Sequence, residues 1–142
     1  MSSKKVWQQI GWKREDMKTV LLVDDEKLFL ASLTEGLVSY GSEFDVVTAN
    51  NGKQAIDIIN SQSIDLIVTD LKMPVMDGFQ LLVHLMNENF NFPVIVMTAF
   101  GTPEIENQLK DFLAFGYLEK PIDFQKLADK ISDGLRDRKS VV

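Results

Sequence analysis

The sequence predicts an α/β domain, a five-stranded parallel sheet covered by helices on both faces. From Thr19 onward, short apolar runs alternate with segments of helical period, which is the order of elements in a βα-repeated sheet. The first, third and fourth runs are continuous in Val, Ile and Leu rather than alternating, as burial on both faces requires. The length of 142 residues and an apolar fraction of 45% suit a single domain with its own core.

Val20 to Asp24 forms the first strand and a helix over Lys27 to Tyr40 follows it. Phe44 to Thr48 is the second strand, with a helix from Gly52 to Asn60. Leu66 to Asp70 is the third, and Asp77 caps the next helix, Gly78 to Asn87, rather than making a hairpin. Val94 to Thr98 leads to a helix over Glu104 to Phe115. Tyr117 to Lys120 is the last strand. In the final helix, Phe124 to Arg136, the residues Phe124, Leu127, Ala128, Ile131 and Leu135 make one apolar stripe, and Asp123 is placed to cap it.

This divides the chain into an N-terminal extension (1–18), the domain (19–136) and a tail or linker (137–142) too short for a DNA-binding or catalytic effector. In the extension, Lys4, Lys5, Lys13, Arg14 and Lys18 are interspersed with Trp7, Ile10 and Trp12. A frayed segment is favoured there over a docked amphipathic helix.

Fifteen Lys and Arg against 21 Asp and Glu give a formal charge of −6, which repels a polyanion, so no direct nucleic-acid partner is expected. Without cysteine, disulfides, thiolate metal sites and cysteine nucleophiles are excluded. The apolar runs are too short to cross a bilayer and residues 1–18 lack the centre of a signal peptide. A cytoplasmic location and no membrane partner follow as expectations.

Ligands of parallel α/β sheets bind beyond the carboxyl ends of the strands. Here those ends carry Asp24-Asp25-Glu26, Asp70, Thr98 and Lys120-Pro121. Three carboxylates a few ångströms apart repel by roughly 4 kcal/mol per pair at an effective dielectric near 20. Lys120 alone does not offset this, so a small hard cation with oxygen ligands, Mg²⁺, completes the set. Singly, each residue is more often a cap or a solvated turn. Together they are the groups that a phosphoryl group and its metal need.

The segments Val-Asp24-Asp25-Glu26, Thr-Asp70-Leu-Lys-Met73-Pro74-Val-Met-Asp77-Gly78, Val-Met-Thr98-Ala99 and Tyr117-Leu-Glu-Lys120-Pro121 closely resemble the receiver domain of bacterial two-component response regulators. The resemblance covers about Thr19 to Arg136. It implies the flavodoxin-like, doubly wound strand order 2-1-3-4-5 with five helices. It makes Asp70 the phosphoacceptor, with Mg²⁺ held directly by Asp25, Asp70 and the backbone carbonyl of Lys72, and by Asp24 through a water. Lys120 and Thr98 then contact phosphoryl oxygens, Tyr117 is the aromatic switch residue that turns inward with Thr98, and the Lys120-Pro121 peptide is cis.

On this resemblance the chain is a phosphoacceptor rather than a turnover enzyme. Its donor is a sensor histidine kinase or histidine phosphotransfer protein, so the lone His84 has a structural or surface role. Its output is a partner or effector domain, or a phosphorylation-dependent homodimer, reached through the surface of the fourth helix, fifth strand and fifth helix. Leu113 before Ala114, where many members have glycine, implies a longer or differently packed end of the fourth helix. Lys72 and Phe100 flank the path of the hydrolytic water, and bulky Phe100 is expected to prolong the phosphorylated state.

Three alternatives are weaker. A pseudo-receiver would be expected to lose one or more of Asp24, Asp25, Asp70, Thr98 and Lys120. An aspartyl-phosphate hydrolase usually has a second aspartate where Lys72 stands. A flavin-binding domain of the same topology needs a hydroxyl-rich phosphate loop after the first strand, and this sequence has no obvious one there.

Overall fold

Strand β1 (Lys18–Val23) lies at the centre of a parallel sheet, between β2 (Phe44–Ala49) and β3 (Leu66–Asp70), with β4 (Val94–Thr98) and β5 (Gly116–Glu119) beyond β3. The order β2-β1-β3-β4-β5 is the one implied by the sequence resemblance. This computed structural model describes residues 17–39, 43–112 and 114–140. The extension expected over residues 1–18 lies outside them except for Met17 and Lys18.

The helices are α1 (Lys27–Ser39), α2 (Gly52–Ser61), α3 (Gly78–Asn87), α4 (Pro103–Asp111) and α5 (Phe124–Ser140). Alternate strand residues feed two separate cores. Val20, Leu22, Leu66, Val68, Ile95 and Met97 pack with Leu30, Leu33 and Leu37 of α1 and Leu127 and Ile131 of α5. Leu21, Val23, Ile67, Val94 and Val96 pack on the opposite face with side chains of α2, α3 and α4. All of β3 and β4 is buried, which is why these segments read as unbroken apolar runs. Each fully buried Leu, Ile or Val contributes on the order of 1.5–3 kcal/mol over the exposed state.

The caps place the helix starts. Asp77 accepts from the Gln80 N–H at 2.9 Å while the Gln80 side chain accepts from the Asp77 N–H, a reciprocal capping box on α3. Asp123 accepts from the Lys126 N–H, as the sequence predicts for α5. Asn51 and Thr102 cap α2 and α4 in the same way, with Pro103 in the first turn of α4. At Gly78 a Cβ would lie 2.6 Å from the backbone oxygen of Asp70. Only glycine lets α3 start against the end of β3.

Three boundaries differ from the sequence expectation by two residues or more. Strand β1 begins at Lys18, whose pairing with Phe44 extends the ladder over two half-buried residues before Val20. Helix α5 continues four residues beyond Arg136, to Ser140. Helix α4 stops at Asp111 instead of reaching Phe115. Its end is closed by the Phe112 N–H on the Gln108 carbonyl and the Ala114 N–H on the Leu109 carbonyl, while the Phe115 N–H turns to the Val94 carbonyl of β4. Of the expected longer or differently packed end of this helix, the longer one is not found, and Leu113 lies outside the described residues. Among the described residues, no helix is long and apolar enough to cross a membrane.

Candidate functional site

The strand order reverses between β1 and β3, and the two strands carry Asp24-Asp25 and Asp70 at or just past their carboxyl ends. Parallel pairing aligns these ends: Val23 lies beside Thr69, Asp70 beside Met97, and Thr98 beside Glu119. Asp24-Asp25, Asp70, Thr98 and Lys120, from four separate stretches of the sequence, therefore reach one edge, where α/β sheets bind ligands.

Asp24 is wholly buried and fully engaged. Its Oδ1 accepts from the Glu26 N–H at 2.9 Å and its Oδ2 from Lys120 Nζ at 3.0 Å. Asp70 accepts through Oδ1 from the Leu71 N–H at 2.9 Å, with Lys120 Nζ 3.5 Å from the same oxygen. Asp25 is exposed. One carboxylate oxygen from each of Asp24, Asp25 and Asp70 falls within a span of 4.8 Å.

Burial first, and then the charge of Asp24, push the Asp70 carboxyl up from 3.8 to about 6, with Lys120 and the Leu71 N–H offsetting only part of the rise. Burial alone would lower the Lys120 ammonium. Its hydrogen bond to Asp24 and the charges of Asp70 and Asp24 outweigh that and raise it. Among the described residues, Lys120 is the one cation bonded to this trio. When ionised, three carboxylates and one ammonium leave two negative charges, which a divalent cation with hard oxygen preference matches.

Thr98 is buried at the end of β4, and its Oγ1 accepts from the Phe100 N–H at 3.0 Å. The Tyr117 hydroxyl donates to Oε2 of Glu106 on α4 at 3.0 Å, and that bond chiefly raises the phenol above its ordinary value. Lys72 and Phe100 are both exposed, with the ammonium 4.7 Å from the ring centroid. The Lys120-Pro121 peptide is cis.

Two partners of these residues escape sequence reasoning. Phe29 of α1 lies under the Lys120 ammonium, 4.4 Å from Nζ to ring centroid, and Glu106 receives the Tyr117 hydroxyl. An aromatic residue on a helix beside a core stripe reads as packing. A glutamate in a first turn reads as favourable charge at the helix start.

Fold and site together define a doubly wound α/β domain with a carboxylate-rich pocket at its topological switch point. The family model described as response regulator receiver domain matches residues 20–132, and the chain belongs to that family. The transcriptional regulatory protein GlrR of Escherichia coli is 35% identical over 116 residues, 82% of this chain but 26% of that protein. The chain thus spans about a quarter of the length of such regulators. Sporulation initiation phosphotransferase F of Bacillus subtilis is 32% identical over 112 residues, 79% of this chain and 89% of that protein. The Francisella response regulator 1452 receiver domain superposes with a TM-score of 0.80 at 30% identity, covering 85% of this chain and 98% of that one.

Proposed function

We propose that the chain accepts a phosphoryl group on Asp70, in a Mg²⁺-dependent reaction, and signals by the change this makes in the surface of α4, β5 and α5. The observation that carries the reading is the carboxylate trio within 4.8 Å, with the Lys120 ammonium 3.0 Å from Asp24 and 3.5 Å from Asp70.

A carboxylate oxygen of Asp70 bonds to phosphorus while the bond from phosphorus to the donor breaks, and the donor atom leaves with the electron pair. The product is an acyl phosphate. Lys120 meets the negative charge that gathers on the transferring group, and the Thr98 hydroxyl donates to a phosphoryl oxygen. Asp25, Asp70 and the Lys72 carbonyl would hold Mg²⁺, with Asp24 acting through water. Bound there, the ion supplies the charge neutralisation that one lysine cannot.

The donor is a phosphohistidine on a sensor kinase or phosphotransfer protein. His84, half-buried near the end of α3, takes no part. The reading is of a phosphoacceptor rather than a turnover enzyme, since Lys72 stands where a hydrolase needs a second acid. For output, Thr98 leaves its bond from the Phe100 N–H, and Tyr117 leaves Glu106, as the phosphoryl group draws Thr98 inward. A switch from 1:99 to 99:1 takes about 5.5 kcal/mol, within reach of a few charge-assisted hydrogen bonds.

Incubation with acetyl phosphate and Mg²⁺, followed by intact mass, tests this. Wild type gains one phosphoryl group and Asp70→Asn gains none. No gain by wild type means signalling by contact alone, and a gain by both proteins moves the site to another residue.

A further inference from the structure

We propose that Phe29 is a positioning residue for Lys120, holding the ammonium over its ring so that it stays in the gap between Asp24 and Asp70. The proposal rests on the phosphoacceptor reading and adds to it a residue that neither motif nor spacing marks.

Lys120 has a long, flexible stem, yet its side chain is only 18% exposed. Asp24 Oδ2 holds Nζ at 3.0 Å, Asp70 Oδ1 lies at 3.5 Å, and the Phe29 centroid lies at 4.4 Å. A ring face within about 6 Å attracts a cation, most strongly where water is excluded. The three contacts come from three elements: the end of β1, the end of β3, and the first turn of α1.

The contacts differ in what the reaction does to them. Once Asp70 carries a phosphoryl group, its charge moves outward onto the phosphoryl oxygens. Asp24 and the Phe29 ring are unchanged. The ring is neutral, so it fixes the direction of the ammonium without adding negative charge to a site that already has too much. Leucine or methionine would fill the same partly buried space beside the α1–α5 core but would offer no π face.

The test uses the full chain as wild type, Phe29→Leu, Phe29→Met and Phe29→Tyr. Without Mg²⁺, NMR reads the ε-methylene protons of Lys120. A ring current moves them upfield in wild type and Phe29→Tyr, and the shift is lost in the two aliphatic variants. With acetyl phosphate and Mg²⁺, intact mass follows the rate at which Asp70 gains its phosphoryl group as acetate leaves. The aliphatic variants are slower by about 3- to 30-fold, roughly the range from an exposed to a desolvated cation–π contact, and Phe29→Tyr recovers the rate.

Unshifted Lys120 protons in wild type overturn the proposal without any variant. So does a rate within twofold of wild type in either folded aliphatic variant, which leaves Phe29 as core packing only. If wild type gains no phosphoryl group while its protons are shifted, the phosphoacceptor reading is what fails, and the positioning role falls with it.

Discussion

Lys72 holds its ammonium 4.7 Å from the centre of the Phe100 ring, joining the loop after β3 to the loop after β4. Each residue lies two positions beyond a buried site residue, Asp70 or Thr98, and both are exposed. On the proposed phosphoacceptor reading, this exposed pair screens phosphorylated Asp70 from the attacking water. Phe100→Gly removes the ring and frees the lysine, and the phosphorylated state then decays several-fold faster. Loss of radiolabel from the purified phosphoprotein measures this. A wild type that loses its label within seconds, or a variant that keeps it as long, contradicts the screening role.

Asp70 makes the pocket costly when no cation fills it. Its folded-state carboxyl titrates at about 6, against an ordinary 3.8, chiefly through burial and then through Asp24. Between those values the folded chain binds the proton more tightly than the unfolded chain, so this group's contribution to stability is lost as pH rises through the window. Asp70→Asn removes the effect while keeping an acceptor for the Leu71 N–H. At pH 7 without Mg²⁺ the variant is more stable by up to about 3 kcal/mol, and the advantage disappears near pH 4. Urea unfolding across pH checks the sign. A gap that widens towards acid refutes the assignment, and added Mg²⁺ should stabilise wild type alone.

The Tyr117 hydroxyl is tied to Glu106, and the tie raises its phenol above the ordinary range. Glu106→Gln removes the charge that disfavours the phenolate, so the Tyr117 titration moves down in pH. Ring-carbon NMR of labelled tyrosine follows it. An unmoved titration means that the hydroxyl spends its time in solvent, and α4 is then not coupled to β5 through this bond.

How much of this was legible depended on how far each interaction reaches. Strands β3 and β4 are buried along their whole length, so their apolar runs and the residues that end them could be read directly, and Asp70 and Thr98 with them. The end of α4 could not be read. Phe112, Ala114 and Phe115 continue an apolar pattern, and only the bond from the Phe115 N–H to Val94 shows that the chain has already joined the sheet edge. Phe29 and Glu106 were missed for a related reason. Their roles lie in contacts with Lys120 and Tyr117 on other elements, and no local period or cap encodes such a contact.

Val75 carries a strain that its sequence position does not announce. The Met76 N–H donates to the Pro74 carbonyl at 2.8 Å across Val75, whose φ is +72°, the geometry of a γ-turn of the rare, strained hand. A β-branched residue is among the poorest choices for positive φ, at a cost of order 1–3 kcal/mol. The residue is 77% exposed and offers little packing in return. Glycine adopts this φ freely but gives the unfolded chain more freedom, worth about 0.4–1 kcal/mol against it. The strain relieved exceeds that loss, so Val75→Gly stabilises the domain by about 1 kcal/mol, read as a higher urea midpoint at unchanged slope. An equal or lower midpoint would mean that neighbours hold the turn without strain. The site should be untouched, because the turn's anchors, Gly78 N–H on the Leu71 carbonyl and Gly52 N–H on the Met76 carbonyl, do not involve the Val75 side chain.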